Sequence, residues 1–145
     1  MSKLKLSITT VVMVLVSMFA LAGCGDSPGA PRITGLSPDG VVRTVFNEVQ
    51  ANQMSDAKEY LAPGTTGDNA SLKTMRNSNL INAKTVANQS GFAVVVATVM
   101  QQNTNNISVK PVGLEKINGE WCILDINNIY NNTKYTVLQR LLGGI

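Results

Sequence analysis

The sequence predicts an α+β domain in which N-terminal helices pack on a four-stranded antiparallel sheet and a short C-terminal helix closes the chain. Three observations carry this expectation. Apolar residues recur at helical spacing from Val41 to Val49, change to a period of two from Leu80, and return to helical spacing between Tyr135 and Leu142. Helices gathered ahead of a run of strands, instead of alternating with them, give the order of an α+β domain. No internal repeat is visible.

The first residues do not belong to that domain. Met1-Ser2-Lys3-Leu4-Lys5 is basic, and Leu6 to Ala22 carries no charge. This is the layout of a secretory signal, while roughly 17 to 25 apolar residues can also span a bilayer, so length alone leaves both readings open. At the end of the run stands Leu21-Ala22-Gly23-Cys24. It resembles the lipobox of bacterial lipoproteins, in which the peptide is cut before the cysteine and a diacylglycerol is attached to its sulfur. The resemblance implies a signal peptide over 1–23, lipidation at Cys24, and a membrane-lipid partner through that residue. In that family an Asp directly after the cysteine retains the protein in the inner membrane of diderms. Here Gly25 follows and Asp26 comes one place later. The implied address is therefore the cell envelope: the outer membrane facing the periplasm in a diderm host, otherwise the outer face of the plasma membrane. Residues 24–36 mix Gly, Pro and Ser, the composition of a flexible extended linker, and a single domain is expected over 37–145.

Ser37-Pro38-Asp39 reads as a helix start, with Ser as N-cap, Pro in the first turn and Asp facing the positive end of the dipole. Val41, Val42, Val45, Phe46 and Val49 then form one apolar face over roughly 38–52. A second short helix is expected from Ser55 or Asp56, carrying Ala57, Tyr60 and Leu61 and stopping at Pro63-Gly64. Residues 65–79 are polar, with Leu72 and Met75 able to share one helical turn. Leu80–Gln89 reads as a strand. Phe92–Gln101 is a central one, because Phe92, Val94, Val96, Thr98 and Met100 alternate with Ala93, Val95, Ala97 and Val99 and both sets are mostly apolar. Asn103 to Asn106 reads as a turn. Ile107 and Val109 alternate, and the phase then shifts across Pro111 to Val112 and Leu114, which suggests a bulge or an edge. Ile117-Asn118-Gly119-Glu120 is a two-residue hairpin turn, with Trp121–Ile126 as the return strand. After an Asn-rich turn, Thr133–Leu142 reads as the closing helix, ending at Gly143-Gly144.

Composition excludes several function classes. The chain has no histidine, which removes Ser-His-Asp and Cys-His catalysis and most imidazole metal sites. No Cys-x-x-Cys, no phosphate-binding Gly-rich loop and no dinucleotide fingerprint is present, so neither a cofactor nor a catalytic constellation is expected. Asp125-Ile126-Asn127-Asn128 lacks the glycine and the terminal Glu of a calcium loop and reads as a solvated turn. Once Lys3 and Lys5 leave with the signal, ten basic residues face nine acidic ones with no basic run, so no nucleic-acid partner is expected. Lipidation of Cys24 leaves Cys122 without an intrachain partner, and Cys122 reads as a small buried apolar residue. The sequons at Asn69, Asn88, Asn106 and Asn131 read as chance in an Asn-rich chain.

"SPDGVVRTVFNEVQANQMSDAKEYLAPGT" and "GLEKINGEWCI" resemble the opening and the penultimate hairpin of small bacterial lipoproteins with a nuclear-transport-factor-2-like, or cystatin-like, domain, grouped as domain of unknown function 4878. The resemblance covers about residues 37–126 and implies a sheet curved into a cone. It transfers a shape and almost no chemistry. The same fold hosts ketosteroid isomerase, which pairs a carboxylate base with an acidic oxyanion donor. The groups available here are Asp125, Glu115, Glu120, Tyr60, Tyr130 and Tyr135. No spacing sets a carboxylate opposite a tyrosine. Glu115 and Glu120 are expected in solvent beside a hairpin, and the tyrosines packed with their hydroxyls at the rim. The expected function is a non-catalytic envelope interaction module that binds itself or another envelope protein through the sheet. The alternative is a carrier or sensor of a small apolar ligand in the cone. Association is expected because the N-terminal helices cover one face of the Phe92–Gln101 strand, unless the closing helix folds over the other.

Overall fold

The computed structural model describes residues 30–65 and 70–145. The expected signal peptide, Cys24 and the start of the expected linker lie outside them, as does the sequon at Asn69. The described residues form an α+β domain with five α-helices and a four-stranded antiparallel sheet.

Helix α1 spans Pro38–Gln50. Ser37 is extended and its Oγ accepts the Gly40 N–H at 3.2 Å, satisfying one of the free donors of the first turn. Val41, Val42, Val45, Phe46 and Val49 are all buried, so the helical spacing marks the face that packs. Thr85 Oγ1 donates to Asp39 at 3.0 Å and ties the start of the helix to the sheet. Burial works against the ionised Asp39, but the bonds from Thr85 and Ser37 outweigh it and hold the carboxyl below the usual range.

Helix α2 covers only Met54–Lys58. The expected helix stops short of Tyr60 and Leu61: Glu59 and Tyr60 form a turn, Tyr60 N–H donating to Ala57 O at 3.3 Å, and Leu61 is a bridge residue. Leu61 forms a parallel bridge to Ile123, Ala62 N–H donates to Ile123 O at 2.9 Å and Ile123 N–H to Tyr60 O at 2.8 Å. These bonds close the outer side of a short edge strand that would otherwise leave its backbone unpaired. Helix α3, Ala70–Arg76, buries Leu72 and Met75 together.

The strands are β1 Ser78–Gln89, β2 Phe92–Gln101, β3 Ile107–Ile117 and β4 Glu120–Ile123, paired in chain order as an antiparallel meander. Two-residue turns at Ser90-Gly91 and Asn118-Gly119 have positive φ throughout (54° and 79°, 52° and 86°), the geometry whose twist matches a hairpin. Of the bulge or edge expected in β3 the bulge is absent, for its register with β2 runs unbroken from Ile107 to Glu115, whereas the edge is present, since β4 pairs only with Leu114–Ile117. The phase shift read there reports a change of which face is covered: Ile107 and Val109 lie exposed on one face, Val112 and Leu114 buried on the other. The register shifts lie in β1, between Leu80 and Asn82 and between Thr85 and Ala87.

Strand β4 ends at Ile123, short of the expected Ile126. Asp125 caps a helix that replaces the expected turn, its Oδ1 accepting the Asn127 N–H at 2.8 Å, and α4 spans Ile126–Asn131. Asn132 in turn caps a 3-10 turn over Thr133–Tyr135, its side chain accepting the Lys134 N–H at 2.9 Å, and α5 covers Thr136–Gly143. The expected closing helix over Thr133–Leu142 is thus a tight turn followed by α5, and α4 is an additional helix ahead of it.

The core has two layers. On one sheet face α1, α2 and α3 bury Phe46, Leu72 and Met75 against Ala93, Val95, Ala97 and Val99. On the other, α4 and α5 bury Ile129, Leu138 and Leu142 against Val94, Cys122 and Leu124. Gly113 allows the second layer to close, because a Cβ there would stand 2.6 Å from Ile129 Cδ1 and 3.0 Å from Leu138 Cδ2.

Candidate functional site

The C-terminal helices cover only one end of the second face. Val94 is fully buried beneath them, whereas Val96, Thr98 and Met100 on the same face of β2 are only half-buried. Register places Val96 opposite Pro111, Thr98 opposite Val109 and Met100 opposite Ile107. Directly opposed residues in an antiparallel pair share a face. Ile107 is 66% exposed and Val109 56%, and Pro111 is exposed too. The result is an apolar strip across β2 and β3 at the end of the sheet remote from α5.

The strip borders an open backbone edge. Strand β4 pairs only with Leu114–Ile117, so among the described residues the start of β3 has a neighbour on one side alone. Leu124 N–H donates to Gly113 O at 3.0 Å, so the backbone of Gly113 points toward the β4 side. Alternation at period two then turns the N–H and C=O of Val109 and Ile107 to the same open side. Pro111 occupies an outward position of that series, where its missing N–H removes no ladder bond.

At the covered end, β3 meets the tail. Lys134 Nζ lies 2.6 Å from Glu115 Oε1, and Tyr135 Oη donates to Glu115 Oε2 at 3.2 Å. The Glu115 side chain is 13% exposed, so it is not the solvated hairpin residue that was expected. Fold and cap together bring a carboxylate opposite a tyrosine, which no spacing in the sequence encodes. Burial first and the Glu115 charge second push the Tyr135 hydroxyl above its ordinary value, and the hydrogen bond to Glu115 raises Lys134. The carboxylate already holds two donors, one on each oxygen, both from the tail. The cluster flanks a cleft of about 350 Å³ with Ala62, Pro63 and Lys116. Its chemistry is that of a clasp between the tail and the sheet.

The remaining candidates have structural partners. Asp125 is the α4 cap. Tyr60 is buried and its hydroxyl accepts the Ile33 N–H at 2.9 Å, while the Glu120 carboxylate accepts the Gly35 N–H at 3.0 Å. Tyr130 is 57% exposed and does not pack as expected. Cys122 is buried, its Sγ 3.5 Å from Arg32 Nη1. A second cleft, of about 440 Å³, opens between α3 and the β2–β3 turn, with Asn77, Gln101, Asn103 and Lys110 on its walls. Among the described residues, no group of three or more Cys, Asp or Glu side chains is placed to hold a metal, and no helix is long and apolar enough to cross a membrane.

Sequence reasoning missed Arg32, Lys134 and Gly113. Arg32 was hidden in linker composition, Lys134 in a tail read as plain helix, and Gly113 between two apolar residues. A Gly inside a strand pattern is a recognised sign of close backbone approach, and it was the one signal available. No family model matches the chain, and no curated protein matches it.

Proposed function

We propose that this chain is a lipid-anchored protein of the cell envelope, held in the membrane at Cys24, whose folded domain is a non-catalytic interaction module. The observation that carries the module reading is the apolar strip of Val96, Met100, Ile107 and Val109 beside the open edge of β3. Contiguous exposed apolar surface next to unpaired strand backbone suits docking of another protein strand, a second copy or an envelope partner. The clasp at Glu115 supports the same reading, since a carboxylate saturated by a lysine and a tyrosine is suited to fastening the tail.

Anchoring rests on the lipobox-like Leu21-Ala22-Gly23-Cys24 after a charge-free run. Gly25 after the cysteine favours the outer membrane, facing the periplasm, in a diderm host, and otherwise the address is the outer face of the plasma membrane. Helices first and a four-stranded meander after them support assigning the domain to the nuclear-transport-factor-2-like fold, with its cone-shaped sheet. The carrier reading has less support, because Phe46, Leu72 and Leu114 fill the space between α1, α3 and the sheet.

Growth with a fatty-acid analogue is expected to label the wild-type chain and not Cys24→Ser. Equal labelling of the two removes the anchor. Proximity cross-linking from the β3 strip, on membranes, is expected to capture a second copy or one defined envelope protein. Failure to capture either removes the module.

A further inference from the structure

The last residues of the expected linker do not hang free. Arg32 reaches across the domain and its guanidinium donates to Glu59 O at 2.8 Å and to Trp121 O. The same group lies 5.0 Å from the centre of the Tyr60 ring. The neighbouring Ile33 N–H donates to Tyr60 Oη at 2.9 Å and Gly35 N–H to Glu120 at 3.0 Å, and Leu36 packs on the first core layer. Five residues thus use a cation, two amides and an apolar side chain to bind α2 and β4. A planar guanidinium seated on two carbonyls and an aromatic face is a geometry lysine cannot copy.

We propose that residues 32–36 form a latch by which the tether folds back on its own domain, setting how far the domain stands from the membrane and which end it turns outward. This rests on the anchoring at Cys24. With the latch closed, the free tether runs from Cys24 to Arg32, about 28 Å at full extension, and with the latch open it runs to Ser37, about 45 Å. The tether also enters at a defined place. Arg32 sits on Trp121, which pairs with Lys116, while Ile107 lies nine residues back along β3, about 30 Å away. A closed latch therefore keeps the β4 end toward the lipid and the apolar strip toward the envelope space. Arg32 is a positioning residue, and Tyr60 and Glu120 are its supports.

Two groups already in the chain report on the latch. Cys122 Sγ lies under the guanidinium, and Trp121, the single tryptophan, lies beside it. On the full-length chain in membranes, a maleimide is expected to modify Cys122 slowly in the wild type and at least about tenfold faster in Arg32→Ala, the change that 1.4 kcal/mol of lost closure produces. Arg32→Lys falls between. Energy transfer from Trp121 to a dansyl-labelled lipid is expected to drop in Arg32→Ala as the reach lengthens. Equal Cys122 rates in wild type and Arg32→Ala overturn the latch, as does unchanged transfer. If Arg32→Ala does not fold, Glu120→Ala and Tyr60→Phe, each removing one acceptor of the latch, decide on the same two readouts. Peptide mass analysis keeps the underlying reading separate, since maleimide on Cys24 would mean that the anchor fails, whatever Cys122 does.

Discussion

Gly113 and Glu115 lie two residues apart on β3, on the face that receives the C-terminal helices, and each holds that layer in a different way. Gly113 gives it room. Gly113→Ala must displace Ile129 Cδ1, 2.6 Å from the new methyl, in a filled core. A cost of about 1–3 kcal/mol is expected from such overpacking, read by denaturant unfolding, and no loss would mean that α4 and α5 do not seat there. Glu115 fastens the layer. Lys134 and Tyr135 both have folded values above their ordinary 10.5 and 10.0. Raised values stabilise the protonated forms, so this contribution is whole below those values and is lost as pH rises through the folded ones. The wild type is therefore expected to lose thermal stability above about pH 10, and Glu115→Gln, lower at neutral pH, to lose less over the same range. Parallel alkaline profiles would contradict the clasp. Neither role was legible in the sequence. Glu115 and Tyr135 are twenty residues apart, and only the turn capped by Asn132 brings them together.

At the scale of elements, what periodicity could express was legible. Alternation located β2, helical spacing located α1, and Asn118-Gly119 located a hairpin, because in each case the buried face and the local backbone demand coincide. Phe46→Ala is expected to cost about 3–5 kcal/mol as a buried aromatic is removed. Ser37→Ala, which loses only a cap, should cost about 1 kcal/mol. Similar losses for the two would mean that the α1 face is not in the core. Periodicity failed where tertiary pairing overrode it. Tyr60 and Leu61 continue a helical pattern, yet their backbone is claimed by Ile123. Leu124 continues the alternation of β4, yet Asp125 supplies a cap that turns the chain into α4. The tail covers part of the second sheet face. A chain ending at Asn132 loses Tyr135, Leu138 and Leu142 from above Val94, and is expected to associate in size measurements under conditions where the full chain does not. If it remains a well-folded single species, the tail is not a lid.

Taken whole, the molecule holds residues 32–36 and its apolar strip at opposite ends of one sheet, and this separation allows association to be tested without disturbing the core. Val109 is more than half exposed, and its partner across the sheet, Thr98, is itself only half-buried. A charge introduced there meets solvent, so Val109→Asp is expected to change folding stability by no more than about 0.5 kcal/mol, as surface substitutions do. In a docked state the same carboxylate is enclosed beside Ile107 and Met100 with no basic group opposite it in the register, and an unpaired charge so placed is costly. Cross-linking on membranes is therefore expected to trap the wild-type chain with a second copy or one defined partner, and to trap little of Val109→Asp. Ile107→Asp, on the same face one pleat away, should behave alike, while Lys58→Asp, exposed on α2 in the layer behind the opposite face, should not. Efficient capture of Val109→Asp, or equal loss in Lys58→Asp, would move the interface away from the strip and leave the exposed isoleucine and valine as isolated surface residues.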